Sequence, residues 1–362
     1  MFLSPILTIA PLHNARLNGF FGALQWYQFK TLSVESGIIQ LQFFEYWIIL
    51  LFIISLAQKP VRSLQDKNLA WLLGLCALSI SLHPKTIVMF VPIFLGFLLY
   101  YLVVNYTKNI KKLLYVIIAI SFLNTIFAVL QFFHIDLIYK TFNRIDGLMC
   151  ISSHLGAYQA IALPICYIVN PFLSIIPLIG LLLSKSYTPL LAGIIGMVYL
   201  FFPNRKKILI NLAPIGWIAS FGIISVFILK NYQSILYKLG LRLELWFGVL
   251  KDILKHPFIG SGFDAFSKVT SMGQWKVVFN EYLGVALNLG LIGLFFFGKF
   301  LHEKFKGTAV GIERGLKASC LISAIICLGQ SSLHFPRLAG TIIVLFALWA
   351  IVNKQENINY VS

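Results

Sequence analysis

Acidic residues are scarce: the 362-residue sequence carries 12 Asp and Glu against 29 Lys and Arg, and charged residues of all kinds make up 11%. A soluble domain carries about 25% charged residues, so a soluble globular fold is excluded. Cysteine is also rare. Cys76, Cys166, Cys320 and Cys327 fall in apolar runs and Cys150 stands alone near a loop, so neither a disulfide framework nor a metal-ligand spacing emerges. No Walker loop and no His-Glu-x-x-His pair occurs, nor an internal repeat of the kind that marks many secondary transporters. The pattern calls for no metal and no cofactor. Missing too is the basic flank of a signal peptide: the first eleven residues are apolar but too short to span, and His13, Asn14, Arg16 and an aromatic stretch with Trp26 and Tyr27 follow. Residues 1–36 read as an outward-facing interfacial segment, with a truncated first span as the competing explanation.

What the chain has is hydrophobicity, 59% by residue with a mean hydropathy of +0.86. Apolar runs near the ~20-residue bilayer length recur throughout. The expected fold class is all-α, a polytopic transmembrane helical bundle of about eleven (ten to twelve) spans forming one integral membrane domain. The runs lie at 37–56, 69–82, 86–104, 112–133, 147–169, 171–183, 188–202, 208–229, 282–300, 316–333 and 338–353.

The net charge of +17 invites a nucleic-acid partner, but the basic residues punctuate the spans instead of forming one patch. One alternating set of loops and flanks carries fourteen of them: Lys59, Arg62, Lys67, Lys108, Lys111, Lys112, Arg205, Lys206, Lys207, Lys304, Lys306, Arg314, Lys317 and Lys354. The intervening short loops carry five: Lys85, Lys140, Arg144, Lys185 and Arg337. The positive-inside rule makes the first set cytoplasmic, together with the C-terminus. The long loop at 230–281 then faces outward, and it holds the richest mixture of charge in the chain.

Placed at 100° per residue, 241–255 has a polar face of Glu244, Gly248, Lys251, Asp252 and Lys255 and an apolar face of Leu245, Trp246, Val249, Leu250 and Ile253. This predicts a helix lying on the membrane surface with the apolar side inward, ended by His256-Pro257 and the glycine turn Gly260-Ser261-Gly262. Arg242 falls in the middle of the apolar face. An inward arginine is costly and normally persists by pairing, and a guanidinium fork suits phosphate oxygens. Alternatively, Arg242 precedes the helix start, or snorkels to water along Trp246. Gly260 and Gly262 present backbone N–H groups to an anion or form an ordinary turn, the more economical reading.

The order of these features resembles the O-antigen ligase and polymerase superfamily of bacterial envelope enzymes. The matching residues are Arg242, Trp246, His256-Pro257-Phe258-Ile259-Gly260-Ser261-Gly262, and Asn280 followed by Gly290 and Gly293. More loosely, Arg144-Ile145-Asp146-Gly147 and Ser184-Lys185-Ser186 sit where such proteins have an R-x-x-G segment and an S-R turn. The resemblance implies a metal-independent glycosyltransferase of the bacterial inner membrane, its active loop facing the periplasm. The donor would be a glycan on undecaprenyl diphosphate. The acceptor would be lipid A–core for a ligase or a second lipid-linked glycan for a polymerase, with membrane lipids as further partners and no nucleic acid. Arg242 would stabilise the departing diphosphate, with Arg144, Lys185, Trp246, Asn280, Glu281 and Arg337 around the diphosphate and glycan.

Two positions depart from the ligase pattern. Phe279 stands where ligases carry a histidine, and the S-R turn offers only Lys185. His334, in the outer loop His334-Phe335-Pro336-Arg337, is the leading replacement base, with Glu281 and Asp264 behind it. The departures equally fit a polymerase, slightly preferred here, or an inactive relative that binds the lipid carrier. A lipid-linked sugar flippase would need charges inside spans, where only Glu45 and Lys299 offer themselves.

Overall fold

Capping chemistry sets the helix starts where the sequence allows it. Asn109 adopts an extended backbone and accepts from the Lys112 N–H at 3.1 Å, opening a long helix. Asn170 does the same for Phe172 at 2.9 Å, and Pro171 occupies the first position, where its missing N–H costs nothing. The computed structural model describes residues 29–30, 40–41, 43–58, 67–83, 87–135, 145–149, 152–201, 232–263, 278–305, 311–330, 333 and 336–359.

Among these residues there are eleven α-helices: α1 (Phe43–Gln58), α2 (Lys67–Leu82), α3 (Ile87–Tyr106), α4 (Ile110–Phe132), α5 (Ser152–Val169), α6 (Ile175–Leu183), α7 (Tyr187–Phe201), α8 (Tyr232–Lys255), α9 (Glu281–Phe305), α10 (Ile312–Gly329) and α11 (Pro336–Asn359). A 3-10 turn, Pro171–Ser174, leads into α6, and a two-residue antiparallel pair joins Phe29–Lys30 to Gln40–Leu41. The fold is all-α, as expected. Every apolar run has its helix within a few residues except 208–229, which lies outside the described residues. Several boundaries differ: α1 starts at Phe43, with Gln40–Leu41 in a strand pair before it; residues 147–149 form a turn, so α5 starts at Ser152; α9 continues to Phe305; α10 covers Ile312–Gly329; and α11 continues to Asn359.

Helix α5 is the axis of the bundle, with almost every residue from Ser152 to Cys166 buried, and it packs against α4, α6, α7 and α10. Close approach comes from small residues and is fixed by hydrogen bonds between helices. Gln159 of α5 accepts from the Ser121 hydroxyl at 2.5 Å and donates to the Ser121 carbonyl and Thr125 Oγ1 at 3.1 Å each. Ser319 of α10 donates to the Ile161 carbonyl at 2.7 Å. Farther out, α11 packs on α3 and α10, and α9 lies between α2 and α8.

At the meeting of α9's last turn and α10, two lysines are buried among rings. The Lys304 ammonium lies 5.1 Å from the Phe300 ring centroid and 5.8 Å from that of Tyr100. Lys317 lies 5.7 Å from that of Trp349, whose indole N–H donates to the Lys304 carbonyl. Among the described residues two helices, α4 and α9, are long and apolar enough to cross a membrane, and α2, α7 and the apolar parts of α3, α6 and α11 are shorter.

Candidate functional site

The amphipathic helix α8 starts at Tyr232, nine residues before the expected segment, so Arg242 sits well inside it. The reading in which Arg242 precedes the helix is thereby removed. Leu245, Val249 and Ile253 recur on one face and are buried with Val278, Ala286 and Leu287. Each such side chain contributes about 1.5–3 kcal/mol on leaving water. The apolar face given to the membrane surface from spacing is therefore turned onto α9, which offers a matching apolar wall, except for Leu250, which stays exposed on another side of the helix.

Arg242 lies one turn from Leu245 on that face and is half-buried. Its guanidinium carbon stands 5.8 Å from the centroid of the Phe279 ring, within cation–π range. Burial lowers its pKa from the ordinary value, yet an arginine keeps its charge. Four residues on, the Trp246 indole N–H donates to the Val278 carbonyl at 3.1 Å. Two consecutive turns of α8 thus hold the segment that leads into α9, and Phe279 within it adopts a positive φ of 52°.

Asn280 and Glu281 then divide the work at the start of α9. Asn280 Oδ1 accepts from the N–H groups of Tyr282 and Leu283 at 3.0 and 3.1 Å, satisfying two donors that a helix start leaves open. Glu281, 3% exposed, accepts from the Leu333 N–H at 2.6 Å. This tie fixes the residue preceding His334 beside the α9 N-terminus. His334 itself, with Asp264 and Arg144, lies outside the described residues, and Arg337 is placed only as backbone in the first turn of α11.

The glycine motifs form one structural device. Gly290 breaks α9 with φ 70° and ψ −173°. In an unbroken helix the Leu291 N–H would donate to the Leu287 carbonyl. Here the turn after α8 takes both groups: Leu291 N–H donates to the Pro257 carbonyl at 2.7 Å, and Ser261 N–H donates to the Leu287 carbonyl at 2.8 Å. Gly260, at φ 79°, lies so close that a Cβ there would meet the backbone of Asn288–Gly290 at 2.6 Å, and a Cβ on Gly290 would strike the Phe258 carbonyl. The glycines serve chain docking, as the turn reading has it. Ser79 of α2 donates to the Asn288 carbonyl at 3.4 Å, and the His83 imidazole abuts Gly262. Sequence reasoning passed over His83; its position at the end of an outward-reading run was the available signal.

The looser motifs are pinned through α4 and α5. After Arg144, the N–H groups of Asp146 and Gly147 donate to Gln131 Oε1 at 3.2 and 2.8 Å, and Leu148 N–H donates to Asn124 Oδ1 at 3.2 Å. The Ser184-Lys185-Ser186 turn lies against Gly156 near the start of α5, with Lys185 exposed at φ 50°. Gln330, at the end of α10, donates to the Ser153 carbonyl at 3.4 Å. Arg242, Trp246, Asn280 and Glu281 are thus brought together, whereas Lys185 belongs to a separate turn by α5.

No family model matches the sequence. Among curated proteins, an O-antigen ligase of Pseudomonas aeruginosa is 31% identical over 157 residues, 40% of this chain and 38% of that protein. The chain therefore spans well under half the length of that relative, and the likeness supports a relationship at superfamily level.

Proposed function

We propose that the protein is a multi-pass inner-membrane glycan polymerase or ligase acting on undecaprenyl-diphosphate-linked oligosaccharide, with the α8–α9 region on the periplasmic side and the C-terminus in the cytoplasm. The carrying observation is the half-buried Arg242 guanidinium held over Phe279, next to the Asn280–Glu281 start of α9. The partial likeness to an O-antigen ligase and the two helices of membrane-crossing length and apolarity support the same setting.

In the proposed reaction an acceptor hydroxyl oxygen attacks the sugar carbon attached to the diphosphate. The bond to the diphosphate oxygen breaks and that oxygen keeps the electron pair. Arg242 offers a planar set of donors to the charge that develops there, with Arg144 and Arg337 as auxiliary cations and Trp246 as a wall for the glycan; Lys185, on its separate turn, is left out of this set. The hydroxyl proton needs a base. Phe279 cannot serve, and Glu281 is engaged in holding Leu333, the residue before His334; that tie supports assigning His334 ahead of Glu281 and Asp264. Phe279 also favours a polymerase over a lipid A–core ligase, whose pattern has a histidine there.

Phe279 supports one second reading, an inactive relative that holds the lipid carrier. Purified protein in lipid nanodiscs, given lipid-linked oligosaccharide, separates the two. Chain growth with release of free undecaprenyl diphosphate supports the enzyme; carrier binding without release supports the inactive relative and sinks the proposal.

A further inference from the structure

Helix α8 has three faces, not two. One, bearing Arg242, Leu245, Val249 and Ile253, packs on α9. A second bears Glu244, Lys251 and Lys255, all exposed. The third is a stripe of Leu236, Leu239, Leu243, Phe247, Leu250 and Leu254, apolar and yet exposed, with Phe247 at 63% and Leu254 at 76%. At about 100° per residue each face takes roughly a third of the circumference.

We infer that this stripe is a docking surface for bilayer lipid, and that α8 lies in the plane of the membrane interface with the stripe in the acyl layer. The inference rests on the membrane setting proposed above. Three observations choose lipid as the occupant. The stripe runs on through exposed Phe258 to Leu291, Ile292 and Phe295, the exposed apolar side of α9, and the Leu291 N–H to Pro257 carbonyl bond fixes that continuity. The Lys251 side of the polar face borders Phe247, as expected where anionic headgroups meet an amphipathic helix. Finally, the stripe is about 27 Å long; a crossing helix would carry Glu244, Lys251, Asp252 and Lys255 through hydrocarbon, whereas an in-plane helix leaves them in water.

The three-way division sets a depth. With the stripe down and the polar face up, the α9-facing side is lateral, so Arg242 sits near the level of the helix axis. That is the level of lipid phosphates, where the diphosphate of a lipid-linked substrate would reach it from the side.

Site-directed spin labels in nanodiscs test this, in a background with the native cysteines replaced. Phe247→Cys, Leu250→Cys and Leu254→Cys report the stripe, Glu244→Cys and Lys251→Cys the polar face, and Phe295→Cys the candidate span. Expected is preferential relaxation by oxygen over a water-soluble nickel chelate at all three stripe positions, as at Phe295, with the reverse at the polar positions. Preference for the nickel reagent at the stripe while Phe295 favours oxygen overturns the inference alone. Exclusion of both reagents from the stripe, as a second copy of the chain would produce, overturns it too. Nickel preference at Phe295 as well removes the membrane setting beneath it.

Discussion

The Arg242 guanidinium carbon lies 5.8 Å from the centroid of the Phe279 ring, so the residue that departs from the ligase pattern is also the one that carries the arginine. A ring face holds a cation without neutralising it, leaving the guanidinium donors available to an anion. Contacts of this kind are worth about 0.5–2 kcal/mol. Phe279→Ala is therefore expected to lower transfer several-fold, together with a drop in unfolding temperature, since the ring also packs against the Leu245, Val249 and Ile253 cluster. Phe279→Trp, which keeps a ring face, should restore most of the loss. Transfer assays on both variants check this, and equal losses in both would contradict it.

The exchanged backbone bonds between the turn and α9 make Gly260 and Gly290 structural. Gly290→Ala places a Cβ on the Phe258 carbonyl at a φ of 70°. Clash and backbone strain together are expected to cost more than about 2 kcal/mol, read as a large drop in unfolding temperature and yield. Gly284→Ala is the control, because nothing lies within 4 Å of its Cβ position; it should hold or raise stability. Comparable losses at Gly284 and Gly290 would argue against the docked turn.

Much of this was open to sequence reasoning. The helix positions follow from apolar runs bounded by caps and prolines, and Arg242's place on the apolar face of α8 follows from helical spacing. What faces that apolar side does not, because the periodicity of one helix carries no information about whether protein or lipid covers it. Likewise the glycine turn and the later G-x-x-G read as separate features until the bonds from Pro257 and Ser261 to α9 join them. The tie from Glu281 to Leu333, 52 positions apart, has no local signature at all.

Asn280 and Glu281 separate by substitution. Asn280→Ala removes the acceptor for two N–H groups and is expected to destabilise by about 1 kcal/mol, with Asn280→Asp restoring stability. Glu281→Gln keeps an acceptor for the Leu333 N–H, while Glu281→Ala removes it. Glu281→Gln should thus stay close to the parent in activity and Glu281→Ala should lose most of it. Equal, deep losses in both would make Glu281, not His334, the base.

His334→Ala should abolish transfer while leaving carrier binding in place, since the proposed base does not hold the diphosphate. Binding of labelled lipid carrier to nanodiscs, measured beside transfer, decides this. Full activity in the variant would remove His334 from the reaction.

The diphosphate role of Arg242 is tested most directly by the length distribution of surface glycan from cells carrying Arg242→Ala and Arg242→Lys at matched protein levels. A point charge replaces the fork poorly, so both variants should shift from long chains to single units or unligated lipid carrier, Arg242→Ala completely and Arg242→Lys in part. A glycan ladder unchanged in Arg242→Ala would contradict the account at its centre.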